Sequence, residues 1–307
     1  MKMKANIVVV GSINQDIVVR SPKLPVKGET VLGEDYFMVP GGKGANQAVA
    51  ASRLGTNVAM IGCLGKDVFG EQMLQHLKAE GIDTSHITML ADHATGIALI
   101  PVTSSGDNFI VVSPGANMQL KASHIEQGED VIKNAHAMLV QLEIPLDAVR
   151  AALAIAKKHD VLTILNPAPA VQLSDDIYAL TDIITPNETE GNQLVAGDAE
   201  KGLDADEIIT KLIAMGVGNV LLTRGGDGTA FREPQGIREF PAYKVDVVDT
   251  TAAGDACNAA LAVALAEERS FGEAVAFATK AAALTVTKRG AQSSLPSRDE
   301  VDRFVGS

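Results

Sequence analysis

Tryptophan is absent from the 307 residues, and cysteine occurs only at Cys63 and Cys257. Two thiols are too few for a disulfide scaffold or a cysteine-built metal centre. Both lie in segments that read as core strand and helix, so free buried thiols in a reducing compartment are the simpler account. Aromatic residues are scarce too: eight Phe and three Tyr leave too few flat side chains for a platform that stacks single-stranded bases. Positive charge is in deficit, with 26 Lys plus Arg against 38 Asp plus Glu and a net charge of −12. That field repels phosphate backbones and anionic lipid, which makes nucleic acid a poor partner. The longest apolar stretches, such as Ala259–Ala266, fall far short of the roughly 18 residues that a membrane helix needs. At the N-terminus, Lys2 and Lys4 precede only the brief run Ile7–Val10, which reads as a buried strand rather than a signal-peptide core, so the expected location is the cytoplasm.

What remains is an ordinary globular composition, 46% hydrophobic and 21% charged. Between residues 137 and 223 one pattern recurs: a short apolar run, a polar residue that ends it, then a helix-period segment. The runs are Ala137–Leu142 ending at Glu143, Val161–Leu165 ending at Asn166, Asp182–Thr185 leading to Asn187, and Asn219–Leu222 ending at Thr223. Their continuous hydrophobicity predicts parallel strands covered on both faces, linked as βαβ units. The carboxyl ends of such strands open on one edge, so Glu143, Asn166, Asn187 and Thr223 are expected to line a common crevice. Strands at Asn6–Val10 and Val58–Leu64 join the same sheet, with Gly44–Leu54 as the helix between them. Segments near 16–20 and 29–40, with Gly96–Val102 and Phe109–Val112 flanking the turn residues 104–108, predict a small antiparallel sheet. Such a sheet, with no helix cover of its own, should cover either the active site or a second subunit. From residue 256 to about 287 the chain reads as Ala-rich helix. No repeat or long linker divides it, so residues 1–307 are expected to form one domain with lid strands within about 14–40 and 95–113.

Neither G-x-x-x-x-G-K-[ST] nor G-x-G-x-x-G follows a strand here. Three other glycine-rich stretches carry the chemistry. Gly41-Gly42-Lys43-Gly44-Ala45-Asn46-Gln47-Ala48 places paired glycines at a helix start, where backbone N–H groups approach a polar ligand and Lys43 and Asn46 donate to hydroxyls. A flexible helix entry with solvated side chains is the plainer account. Thr223-Arg224-Gly225-Gly226-Asp227-Gly228-Thr229 follows a strand and suits either a phosphate-wrapping loop or a hairpin turn. Asp249-Thr250-Thr251-Ala252-Ala253-Gly254-Asp255-Ala256 opens a long helix; its small residues leave N–H groups free at the positive end of the dipole, an anion hole for phosphoryl charge. Asp255 reads either as a helix cap or as the base for a hydroxyl nucleophile.

These motifs, with Asn187-Glu188-Thr189-Glu190 between them, resemble the ribokinase family of carbohydrate kinases over essentially the whole chain. The resemblance implies a three-layer α/β fold with a mostly parallel central sheet flanked by helices, plus a small antiparallel β-sheet lid. It implies transfer of the ATP γ-phosphoryl to the 5-hydroxyl of D-ribose, with Mg²⁺ accompanying the nucleotide. Asp255 would be the catalytic base, and Ala252, Ala253 and Gly254 would form the anion hole. Asn14, Asp16, Gly42, Lys43, Asn46 and Glu143 match the sugar contacts. Asn187 and Glu190 would act near the phosphates and Mg²⁺ through water, while Thr223, Gly225, Gly228 and Thr279 fall on the nucleotide side. A K⁺ site would draw on Asp249, Thr251, Thr285, Lys288, Gly290 and Ser294, partly through backbone carbonyls. A homodimer through the lid strands is expected from their open edges and face.

This chain departs from the family pattern at Cys257 and Ala259, where Phe and Gly are frequent, and at Thr279, where a longer polar side chain is usual near adenine. Cys257 reads as a small buried hydrophobe, with a thiol activated by the helix N-terminus as the alternative. The six histidines show no ligand spacing. Relatives acting on 2-deoxyribose, fructose or a nucleoside are the enzymatic alternatives, and a non-catalytic sugar or nucleotide sensor is the alternative of a different class. Asn14 with Asp16 favours a sugar bearing both the 2- and 3-hydroxyls, because an unpaired buried amide costs about 1–3 kcal/mol.

Overall fold

Apolar runs without alternation become strands buried on both sides. The computed structural model describes residues 4–103 and 109–306. In chain order the strands are β1 (Asn6–Val10), β2 (Asn14–Ser21), β3 (Tyr36–Gly41), β4 (Asn57–Gly65), β5 (Ile82–Leu90), β6 (Gly96–Thr103), β7 (Val111–Ser113), β8 (Ala137–Gln141), β9 (Leu162–Asn166), β10 (Ile183–Ile184), β11 (Asn219–Thr223), β12 (Thr229–Glu233) and β13 (Gly236–Phe240). Nine of them form one sheet in the order β13-β12-β11-β10-β9-β8-β1-β4-β5, parallel from β11 to β5 and antiparallel only at the β11–β12–β13 edge. Successive side chains of a strand point to opposite faces, so each central strand feeds two apolar layers. Ile7 and Val9 of β1 and Leu139 of β8 pack with helices Lys43–Arg53, Ala253–Ala266 and Phe271–Thr285. Val8, Val10, Met138 and Val140 pack on the other side with helices Leu146–Lys158 and Ala205–Ala214. The result is the expected three-layer α/β arrangement.

The second sheet has the order β3-β2-β6-β7. Its outer ladders, β2–β3 and β6–β7, are antiparallel as the sequence predicts, whereas its central β2–β6 ladder is parallel over Asn14–Ser21 and Gly96–Thr103. The reason is inherited from the main sheet. β2 follows β1 and β6 follows β5, and β1 and β5 share one direction, so the chain leaves both carboxyl ends the same way. The turn residues 104–108 expected between β6 and β7 lie outside the described residues. Met38, Ile17, Leu99 and Val111 lie in register across this sheet, and Met38, Leu99 and Val111 are 44%, 44% and 62% exposed. Asp16 is one residue from Ile17 and therefore belongs to the opposite face.

The long Ala-rich helix expected after residue 256 is two helices, broken between Ala266 and Phe271. Glu268 turns left-handed at φ 65, and Ser270 caps the second helix with Glu273 in a reciprocal capping box. The Asp182–Thr185 run contracts to the short strand β10.

Candidate active site

The 253–266 helix starts on Ala252, an alanine held at φ 61, and no side chain caps it. A Cβ at Gly254 would meet nothing within 4 Å, so the helix end is sterically open. Left-handed backbone followed by helix aims successive N–H groups to one side, which suits an anion. Asp255, in that first turn, does not cap the helix. It is buried at 7% exposure and turned inward, where Oδ2 accepts from Asn46 Nδ2 at 2.9 Å and Oδ1 from Gln47 Nε2 at 3.0 Å. Burial holds its carboxyl above the usual carboxylate range, the Lys43 ammonium and the two amides pull it down, and Glu143 pushes it up again. Lys43 shows the complement: burial disfavours its ammonium, yet Asp255, Glu143 and Glu190 keep its pKa above the ordinary value.

The Lys43–Arg53 helix supplies these donors because its entry is glycine. Gly42 sits at φ 88, and a Cβ on Gly44 would lie 2.7 Å from the backbone of Gly11 and Ser12. The helix thus approaches the β1–β2 connection backbone to backbone. Glu143, just past β8, accepts from Ser12 Oγ at 2.5 Å and from the Lys43 N–H at 3.3 Å. On β2, Asn14 Oδ1 accepts from Asn117 Nδ2 at 2.7 Å, and Asn117 Oδ1 accepts from the Ile13 N–H at 2.9 Å, which orients the Asn14 amide. Asp16 stands beside glycine: a Cβ on Gly41 would come within 2.3 Å of its carboxylate. Burial, with Glu143 and Asp255 nearby, pushes the Asp16 carboxyl up to about 7, and its Oδ1 is buried with no hydrogen-bond partner.

The predicted crevice residues meet at the carboxyl edge of the sheet. Asn166 accepts from Gln47 Nε2 at 3.1 Å, and Asn187 bridges to Thr223 in parallel register. Asn187 also caps helix Glu188–Ala196, accepting from the Glu190 N–H at 2.7 Å while Glu190 Oε2 accepts from the Asn187 N–H at 2.9 Å. This box occupies one oxygen of Glu190, whose pKa burial raises in the field of Lys43 and Asp255. Residues 224–228 form the hairpin turn between β11 and β12, and a Cβ at Gly225 or Gly226 would meet nothing within 4 Å. Thr279, the residue expected on the nucleotide side, donates its hydroxyl to Val275 O at 2.9 Å within its own helix.

Among the cation candidates, Asp249 binds the two loops together. Its Oδ1 accepts from the Thr251 N–H at 2.9 Å and Oγ1 at 2.7 Å, and its Oδ2 accepts from the Gly290 N–H at 2.8 Å. Burial opposes its ionisation, but these bonds and Arg289 hold its carboxyl below the ordinary value. Thr285 and Ser294 are fully buried with hydroxyls donated to Ala281 O and Ala291 O. Lys288 points its ammonium at Glu300, 2.6 Å away, leaving only main-chain oxygen for an ion. Among the described residues no cluster of three or more His, Cys, Asp and Glu could hold a metal. Cys257 is buried and its thiol is pushed up to about 12, which removes the activated-thiol reading.

Ser12, Gln47 and Asn117 were not singled out by sequence. Gln47 lies within the glycine-rich motif, where nothing local sets it apart until the fold brings it against Asp255. Comparison with known proteins agrees with this geometry. Residues 4–298 match the model of the pfkB family carbohydrate kinases. A ribokinase from Haemophilus influenzae is 44% identical over 303 residues, 99% of each chain. The crystal structure of a ribokinase from Thermotoga maritima superposes with a TM-score of 0.90 at 37% identity, covering 97% of this chain and 98% of that one. The Arabidopsis thaliana ribokinase complexed with ribose and ATP superposes with a TM-score of 0.91 at 32% identity, covering 99% and 100%. With the family model matched over residues 4–298 and relatives matched over nearly the full length of both chains, the chain belongs to the pfkB family of carbohydrate kinases.

Proposed function

We propose that this chain is a ribokinase, transferring the γ-phosphoryl of MgATP to the 5-hydroxyl of D-ribose to yield ribose 5-phosphate and ADP. The observation that carries the reading is Asp255: a buried carboxylate gripped by two amides beside an open, uncapped helix N-terminus. Burial strengthens it as a base while Lys43 and the two amides favour its ionised form, the combination that proton removal from an alcohol requires. As the phosphoryl group moves, Asp255 takes the hydroxyl proton, and the open helix end formed by Ala252, Ala253 and Gly254 meets the charge that spreads over the phosphoryl oxygens. The orphaned Asp16 Oδ1 supports a polyol partner, since sugar hydroxyls supply the donors it lacks. Asn14, Lys43, Asn46 and Glu143 complete the polar ring, and Gly42 lets the backbone close against it.

The nucleotide lies on this reading against Thr223, Gly225 and Gly228, with Thr279 contributing packing. Asn187 and Glu190 fit Mg²⁺ through water, because their capping box leaves one Glu190 oxygen for a hydrated ion. Held there, Mg²⁺ would supply charge neutralisation at the phosphates. The loops tied by Asp249 suit K⁺, with Thr251, Thr285, Lys288, Gly290 and Ser294 offering mainly carbonyl oxygen behind the anion hole. We read the chain as one catalytic domain in the cytoplasm, lidded by the small sheet and dimeric through that sheet's exposed apolar face.

ADP release from MgATP with D-ribose, 2-deoxyribose, D-fructose and adenosine, compared side by side with K⁺ present, tests the assignment. Preference for ribose supports it. Preference for another acceptor keeps the chemistry and reassigns the Asn14, Asp16 and Glu143 ring. No turnover with intact ATP binding favours a sensor. Within the enzyme, Asp255→Asn is expected to lower turnover about 10²–10⁴-fold with ATP binding nearly unchanged, measured by steady-state kinetics and calorimetry.

A further inference from the structure

An amide has an accepting end and a donating end of nearly the same shape, so something must decide which end of Asn46 faces Asp255. Asn46 Oδ1 accepts from Gln292 Nε2 at 3.1 Å, which leaves Nδ2 for Asp255 Oδ2. Gln292 poses the same question one step out. Its Oε1 lies 2.7 Å from His76 Nε2, on helix Val68–Ala79, so an N–H there fixes the Gln292 amide in turn. Gln292 is buried at 3% exposure and its main-chain oxygen accepts from Arg53 Nη1 at 2.5 Å. Arg53 is itself held by Glu80 at 2.6 Å, so the backbone of Gln292 is anchored independently of its side chain.

We propose that Gln292 is a positioning residue for phosphoryl transfer, orienting the Asn46 amide so that its NH₂ group faces Asp255, with His76 fixing the far end of the chain. The inference rests on Asp255 being the base. A reversed Asn46 amide would set oxygen against oxygen at Asp255. Other charges already face that carboxylate: Lys43 from the same helix as Asn46, Glu143 from the end of β8, Asp16 from β2 and Glu190 from helix 188–196. Facing Gln292 and His76 are Arg53 and Glu80. Since the Asn46 bond lowers the Asp255 pKa, losing it moves the acid limb of the rate profile to higher pH.

The experiment measures kcat and KM for ribose and MgATP against pH in the full-length wild type, Gln292→Met, Gln292→Glu, His76→Ala and Asp255→Asn, each titrated with K⁺. Gln292→Met is expected to lower kcat roughly tenfold, with an upward shift of the acid limb and KM for MgATP within about twofold of wild type. Gln292→Glu, unable to donate and carrying charge, shifts the limb further. His76→Ala shifts it the same way by less, and decides the matter if neither glutamine variant folds. An unmoved acid limb in every folded variant overturns the proposal. Recovery of kcat and profile at high K⁺ overturns it as well, because the residue would then act through the 290–294 loop. Near-normal turnover of Asp255→Asn sinks the base assignment instead, whereas an inactive Asp255→Asn beside wild-type Gln292 profiles sinks this inference alone.

Discussion

Asp16 carries its charge only conditionally. Free, its carboxyl titrates at about 7 because it is buried beside Glu143 and Asp255. Hydroxyl donors from a bound sugar favour the ionised form and lower that pKa, so binding releases a proton. Affinity is then complete above about pH 7 and weakens as pH falls below it, by up to about tenfold per unit. KM for ribose measured across that window should rise on the acid side in the wild type and lose this dependence in Asp16→Asn. A flat wild-type profile removes Asp16 from sugar binding. Legibility at this scale was uneven. The motif residues Lys43, Asn46 and Asp255 were readable because glycines and small residues around them have few other uses. Gln47 and Gln292 were not, since a lone glutamine acquires meaning only from partners such as Asp255 and Asn46, 208 and 246 positions away.

The Lys43–Arg53 helix delivers three site residues, and its closeness to Gly11 and Ser12 is what delivers them. Gly44→Ala ordinarily gains about 1 kcal/mol of helix propensity. Here the added methyl would meet rigid backbone at 2.7 Å, and overpacking of that kind costs about 1–3 kcal/mol. The second effect wins: denaturant unfolding should show net destabilisation, and turnover should fall as Lys43, Asn46 and Gln47 are displaced together. Unchanged stability would mean that the helix can retreat without loss. The 249–251 and 285–294 loops make a second elemental test, in which replacing K⁺ by Na⁺ at constant ionic strength depresses activity. Equal rates in both salts would remove the cation from the scheme. Strands were legible where hydrophobicity was unbroken, as in β1, β8 and β11. The break at residues 267–270 was hidden because alanine reads as helix on both sides of it, although Ser270 and Glu273 already spelled a capping box.

At the scale of the whole molecule, Met38, Ile17, Leu99 and Val111 lie in register as an apolar stripe, exposed at every member but the half-buried Ile17. Light scattering should return a dimer mass for the native chain and a monomer mass for Leu99→Lys. A native monomer at working concentration counts against the interface. The parallel β2–β6 ladder escaped sequence reading because its partners are joined through β1 and β5 of the other sheet, and strand direction in one sheet was inherited from its neighbour. The same ladder restricts how that small sheet is able to move. Asp16 and Ile17 are consecutive, so the pleat sends them to opposite faces, which on the proposed reading are the sugar side and the dimer side. A slip of a single residue would exchange them, setting isoleucine against ribose and a carboxylate in a greasy seam. On the proposed reading, sliding along the strand would therefore cost both functions at once, and substrate and neighbour would sense a single sheet from its two sides.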